Sequence, residues 1–170
     1  MPVTQPISSA STAPHDPAKD VLQVLTAEHR EVKALFQRYR KLADAGGRDD
    51  ERMLLASQIC VALTIHTQME EEILYPAART VLIQDEDIVD EAYVEHAGAR
   101  TLIAQIKTMT TDQPLYDAKV KVLGEYVDHH VREEETEFFP KLRKTSLDLE
   151  AMGEQIAARK MQLMAQPEPS

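Results

Sequence analysis

An all-α fold, an up-down-up-down four-helix bundle with an additional C-terminal helix, is predicted by three observations. Apolar residues recur at helical spacing through four long segments, glycine is scarce at 5 of 170 residues, and the links between segments are short. Residues 1–16, rich in Pro, Ser and Thr and without apolar periodicity, read as a disordered tail. Asp16 followed by Pro17 has the chemistry of an N-cap with proline at the first helical position. From there Val21, Leu22, Leu25, Val32, Phe36 and Tyr39 mark the apolar stripe of a first helix, which Gly46 and Gly47 should stop. A second periodic segment starts near Asp49 and runs toward Pro76, which should kink or end it, since proline lacks an N–H and clashes with the preceding turn. A third helix is expected over 87–109 and a fourth over 115–140. Thr145 or Ser146 can cap a fifth from Leu147 to about Met164, so the folded domain should cover 17–165, with 166–170 as a short tail.

Composition narrows the function. A net charge of −10 disfavours a nucleic-acid surface, which needs clustered Lys and Arg, and equally an anionic membrane surface. No apolar run approaches the ~20 residues that span a bilayer. The N-terminus has neither a basic segment nor an apolar core of the secretory kind, so the cytoplasm is the expected compartment. The single cysteine, Cys60, excludes an intramolecular disulfide framework and any multi-cysteine zinc or iron–sulfur site, and reads as a buried, inert thiol.

The chemistry lies in an internal repeat. The second helix carries His66-TQM-Glu70-Glu71-Glu72-IL-Tyr75-Pro76 and the fourth carries His130-VRE-Glu134-Glu135-TEF-Phe139-Pro140, so His, Glu, Glu, aromatic and Pro coincide at equal offsets. One helix earlier, Glu28-His29 and Glu95-His96 echo each other. A His and a Glu four residues apart share one helix face, their Cβ atoms about 5–6 Å apart, and can share a metal. Two such helices plus two single His assemble His29, His66, Glu70, His96, His130 and Glu134. Four imidazoles and two carboxylates suit iron, manganese or zinc rather than copper(I) or a cluster. Six protein donors cannot saturate two six-coordinate metals, so solvent or a small ligand must complete the set.

Several neighbours read differently. His129 also has a carboxylate at i+4, Glu133, but the proline alignment selects His130 and turns His129 about 100° away. His15 falls in the tail. Glu71, Glu72, Glu133 and Glu135 read as solvated helix faces, while Tyr93 and Glu95, flanking His96, could supply a missing ligand or support the site from behind, against simply packing there or capping an imidazole N–H. None of the residues three before these His is acidic, which disfavours the Glu-x-x-His pattern of ferritin-like bundles.

At these residues the sequence resembles the hemerythrin HHE cation-binding family, whose pattern H…HxxxE…H…HxxxE is met by His29, His66–Glu70, His96 and His130–Glu134. The resemblance implies two iron ions in an oxo-bridged Fe–O–Fe centre, the two Glu bridging them. Oxygen-carrying members have a fifth His one turn after the third-helix His, where this chain has Arg100. The implied function is binding or sensing of oxygen or nitric oxide. The alternatives are an enzyme that removes peroxide or nitric oxide, an iron donor for cluster repair, and a metal-free helical interaction module; no protein partner is identified.

Overall fold

The computed structural model describes residues 19–166, and within them the chain is helical, without strands. Asp20 caps α1 (Val21–Asp44): its side chain accepts the Gln23 N–H, and the Gln23 side chain returns the bond to the Asp20 backbone. The helix starts later than expected, since residues 19 and 20 are not helical and Asp20 is extended; Asp16, Pro17, His15 and the expected N-terminal tail lie outside the described residues. α1 ends as anticipated. Gly46 takes φ of +65°, and its N–H and that of Gly47 bond back to Ala43 and Leu42, a closure that favours glycine.

The second rod decides between the two outcomes expected at Pro76. α2 (Asp49–Met69) does not stop at Pro76 but passes through a π-turn, Glu70–Leu74, into α3 (Tyr75–Val81). The Tyr75 N–H bonds to the Glu70 carbonyl five residues back, a widened turn placed just before the residue that has no N–H to give. The fourth rod repeats this: α5 (Tyr116–Glu133), a π-turn at Glu134–Phe138, and α6 (Phe139–Leu142), with Pro140 absorbed in the same way. Between them runs α4 (Glu86–Lys107). α7 (Leu149–Ala165) is capped by Asp148, which accepts the Ala151 N–H, rather than by Thr145 or Ser146.

α1 packs on α2 and α5, and α4 packs on the same two, so the four rods form a square with α1 and α4 on a diagonal. α7 lies outside it, against α1, α2 and the first π-turn. The core is layered. Leu22, Leu25, Leu74, Phe138, Leu142 and Ile156 belong to one apolar cluster, while Val32, Phe36, Ile59, Leu63, Ile103 and Leu123 belong to another. Cys60 is buried in the latter. On every rod the switch from one cluster to the other falls at a buried polar residue: His29, His66 with Glu70, His96, or His130 with Glu134. No helix among the described residues is long and apolar enough to cross a membrane.

Candidate metal centre

The polar layer between the two apolar clusters brings together all six residues singled out by the repeat. Burying charged groups in such a place is costly unless each finds a partner. His29 and His66 set their Nε2 atoms 3.2 Å apart, and His96 and His130 set theirs 3.1 Å apart. The carboxylates stand between the two pairs. Glu70 Oε1 is 3.2 Å from His66 Nε2, and its Oε2 is 3.4 Å from His96 Nε2. Glu134 Oε2 is 3.3 Å from His29 Nε2 and 3.5 Å from His130 Nε2. Each glutamate therefore reaches toward both halves.

The opposite nitrogen of every ring is held from outside by a further carboxylate. Nδ1 of His66 meets Glu28 at 2.8 Å and that of His130 meets Glu95 at 2.7 Å. Nδ1 of His29 meets Glu135 at 2.9 Å and that of His96 meets Glu71 at 3.0 Å. The two halves repeat each other's contacts: the Glu before each single His serves the His-x-x-x-Glu helix of its own half, and the Glu after each inner Glu serves the single His of the other half. Because a carboxylate can only accept, each Nδ1 donates, which leaves Nε2 lone pairs aimed at one another.

Lone pairs facing at 3.1–3.2 Å repel unless a proton or cation lies between them. Glu70 Oε1 and Glu134 Oε2 are buried and without hydrogen-bond partners, which is expensive in an apolar surround. Two donor atoms bound cis to one metal at about 2.1 Å stand roughly 3 Å apart, close to the separations seen here. The residues fit a pair of borderline or hard cations with nitrogen and oxygen donors, and no thiolate enters the set. Titration behaviour points the same way. Burial alone would push the His66 pKa down, but Glu70 and Glu28 outweigh it and raise it to about 10. For His130 burial is likewise outweighed, by Glu134 and Glu95, and the pKa stands at about 9. Glu70, despite burial that disfavours its charge, is held well below the usual carboxylate range by His66 and His96. The field of the site attracts positive charge.

Tyr75, which sequence periodicity did not select, is fully buried at the same place. Its hydroxyl donates to Glu134 Oε1 at 3.0 Å and lies 3.3 Å from His96 Nε2 and 3.5 Å from Glu70 Oε2. Phe139, its counterpart in the repeat, stacks on His29 with ring centroids 5.9 Å apart and offers no oxygen. Of the carboxylates read as solvated, Glu135 is exposed yet also holds His29 and half-buried Glu71 holds His96, whereas Glu72 pairs with Arg159 and Glu133 with exposed His129, away from the centre. Glu28 was legible only through the doubled Glu-His pair. Tyr93 packs edge-on to Tyr75 at 5.3 Å and its hydroxyl reaches the Glu71 carbonyl, not a ring nitrogen. Arg100 is half-exposed and ion-paired with Glu71, so it acts on His96 from behind.

A helical bundle with a buried, carboxylate-backed His/Glu layer is a cation-binding scaffold. Residues 20–142 match the hemerythrin HHE cation binding domain, and the chain belongs to that family. It is similar to the crystal structure of a hemerythrin HHE cation binding domain-containing protein from Mycobacterium kansasii, the Rv2633c homolog. That likeness has a TM-score of 0.69 and 25% identity over 85% of this chain and 87% of that one. Rv2633c of Mycobacterium tuberculosis, an uncharacterised protein, is 26% identical over 147 residues, spanning 85% of this chain and 87% of its own length. A DNA nickase from Nostoc sp. is 30% identical over 124 residues, covering 73% of this chain but 34% of the nickase. This chain therefore corresponds to about a third of that relative.

Proposed function

We propose that the layer holds two iron ions and that the protein binds or senses a small ligand, oxygen or nitric oxide, beside them. His29 and His66 would hold one ion, His96 and His130 the other, with Glu70 and Glu134 reaching both; zinc or manganese suits the same donors. Bound iron would supply redox chemistry toward oxygen species. The observation that carries the reading is the convergence of four Nε2 atoms on unpartnered buried carboxylate oxygens, with a cavity against the four imidazoles. That cavity, of about 30 Å³, is bounded by His29, His66, His96 and His130 together with Val32, Leu63, Ala99, Val127 and Val131, and by Thr67, Glu95 and Tyr126. It has room for a water-sized molecule, and its apolar walls select against charged or bulky ligands.

The Tyr75 hydroxyl favours a second reading. A phenol beside His96, Glu70 and Glu134 can add an anionic oxygen donor to one half only, which favours the ferric state and so turnover of peroxide or nitric oxide over reversible oxygen carriage. Anaerobic loading with ferrous iron, followed by spectra before and after oxygen, nitric oxide and peroxide, tests both. Two irons per chain with a spectrum that changes on oxygen or nitric oxide supports the first; peroxide consumption supports the second. Binding of zinc alone, or no response to any of the three, overturns the proposal.

A further inference from the structure

Glu28 and Glu95 are counterparts in the repeat, and each uses one oxygen to hold an imidazole Nδ1. Their second oxygens face different chemistry. Glu28 Oε1 is 2.8 Å from the ammonium of Lys160, carried by α7, which covers that side of the bundle. Glu95 Oε1 is 3.5 Å from Nε2 of His129, whose ring is 60% exposed and also stands 3.2 Å from Glu133 Oε1. An ammonium has no lone pair and ends the chain of contacts with a fixed charge. An imidazole can ligate a metal.

α7 packs on α1 and α2, whereas the face between α4 and α5 carries a hollow. Glu91, Glu95, Glu133 and Glu137 line it together with His130 and Glu134, both residues of the central layer. Glu134 is only 3% exposed and keeps a buried oxygen without a hydrogen-bond partner. His129, Glu95 and Glu133 offer one ligand atom each, all within 4.8 Å of one another. His129 and Glu133 repeat the His-x-x-x-Glu spacing one residue out of register with the buried pair, so they face outward where His130 and Glu134 face in.

We propose that His129, Glu95 and Glu133 form an outer docking site for a divalent cation, from which the buried centre is loaded through the acidic hollow. Glu95 is the hinge of the route, with one oxygen at the outer site and the other on His130. The proposal rests on the reading of the central layer as a metal site, and its test separates the two.

The test uses the full chain stripped of metal. Ferrous iron is added anaerobically to wild type, His129→Ala and Glu133→Gln, and uptake is followed by stopped flow with the final iron content measured. Both variants should reach the wild-type iron content, at rates lower by on the order of tenfold, the lower end of electrostatic steering effects. If general acidity alone drew ions in, His129→Ala would load as fast as wild type, and that result overturns the proposal. In the iron-loaded protein, manganese(II) titrated by electron paramagnetic resonance should show a further ion per chain, lost in both variants. No additional manganese in wild type, or equal binding in all three proteins, identifies an ordinary surface ion pair and overturns it as well. Should wild type itself take up no iron, the central reading fails and this one falls with it. Circular dichroism on both variants confirms that exposed substitutions leave the helices intact.

Discussion

The Tyr75 hydroxyl donates to Glu134 Oε1 at 3.0 Å across the bundle, while Phe139, at the same place in the other half, stacks flat on His29. A near-symmetric centre is thus made chemically unequal by one oxygen. That oxygen is held as a neutral phenol, because burial and the charges of Glu134 and Glu70 push the Tyr75 pKa well above its ordinary value. A cation among Glu70, His96 and Glu134 reverses the balance, since it favours the phenolate that burial disfavours.

The first expectation follows. The ferric protein should show a visible phenolate-to-iron charge-transfer absorption, with matching tyrosinate modes in resonance Raman. Tyr75→Phe should abolish both while keeping wild-type iron content, because the six His and Glu donors remain. Phe139→Tyr offers the reciprocal change. A band that survives in Tyr75→Phe assigns the absorption elsewhere and removes the asymmetry argument.

The same residue shows where sequence legibility ended. His66–Glu70 and His130–Glu134 were readable because a helix of 3.6 residues per turn sets i and i+4 on one face, and the repeat fixed the register. Tyr75 lies five residues after Glu70, which an α-helix would turn about 140° away. The π-turn at Glu70–Leu74 inserts one extra residue, so Tyr75 bonds back to Glu70 and takes the place that residue i+4 has in an α-helix, on the face of Glu70. Pro76 and Pro140, read as kinking or ending their helices, do the former: a widened turn stands before each and the helix continues beyond it. Glu71 and Glu135 were missed because only one residue of each acidic run was expected to face the seam, whereas the next one reaches an imidazole on a neighbouring helix. Glu28 and Glu95 had a signal, the doubled Glu-His pair, whose meaning needed the neighbouring helix.

Metal should stabilise the fold, since Glu70 Oε1 and Glu134 Oε2 are otherwise buried without hydrogen-bond donors. A ligand that binds only the folded chain, present at a hundred times its Kd, contributes about 2.7 kcal/mol. For a domain of this size that is roughly 5–10 °C in Tm. Differential scanning calorimetry with iron and with chelator checks it. His130→Ala, which removes one donor of a pair, should lower iron content and most of the shift. Equal Tm in the two conditions would revive a metal-free interaction module.

On the proposed reading, proton and metal would compete for the same nitrogens. In the chain without a bound cation, His66 titrates at about 10 and His130 at about 9, both raised by carboxylates that outweigh burial. Near neutrality each carries a proton that a metal must displace, so apparent affinity should rise with pH, by up to about tenfold per unit for each proton released. Stability of the metal-free chain runs the other way. A histidine whose folded pKa is raised stabilises fully below its unfolded value of about 6.5. That contribution is lost as pH climbs through 9 to 10. Isothermal titration and thermal melts between pH 6 and 10 should therefore show affinity and metal-free Tm moving in opposite directions; a parallel rise would contradict the assigned pairs.

α7 gives a test of the scaffold apart from the metal. It crosses the start of α1 at Gly153, where a Cβ would stand 2.3 Å from the Lys19 carbonyl oxygen and 3.1 Å from Val21 N. Both are backbone atoms, which cannot swing aside as a side-chain tip would. Gly153→Ala must therefore push α7 outward or distort the Asp20 capping box, at a cost of about 1–3 kcal/mol by analogy with overpacked cores. The helix preference of alanine over glycine, about 1 kcal/mol, offsets part of this, so the clash must exceed it for the sign to hold. Because Lys160 sits on α7 and meets Glu28 behind His66, the displacement should also loosen that end of the centre. Chemical denaturation should show a lower midpoint, and iron loading should weaken even though no donor is altered. An unchanged midpoint would mean that α7 rides on the bundle without holding it.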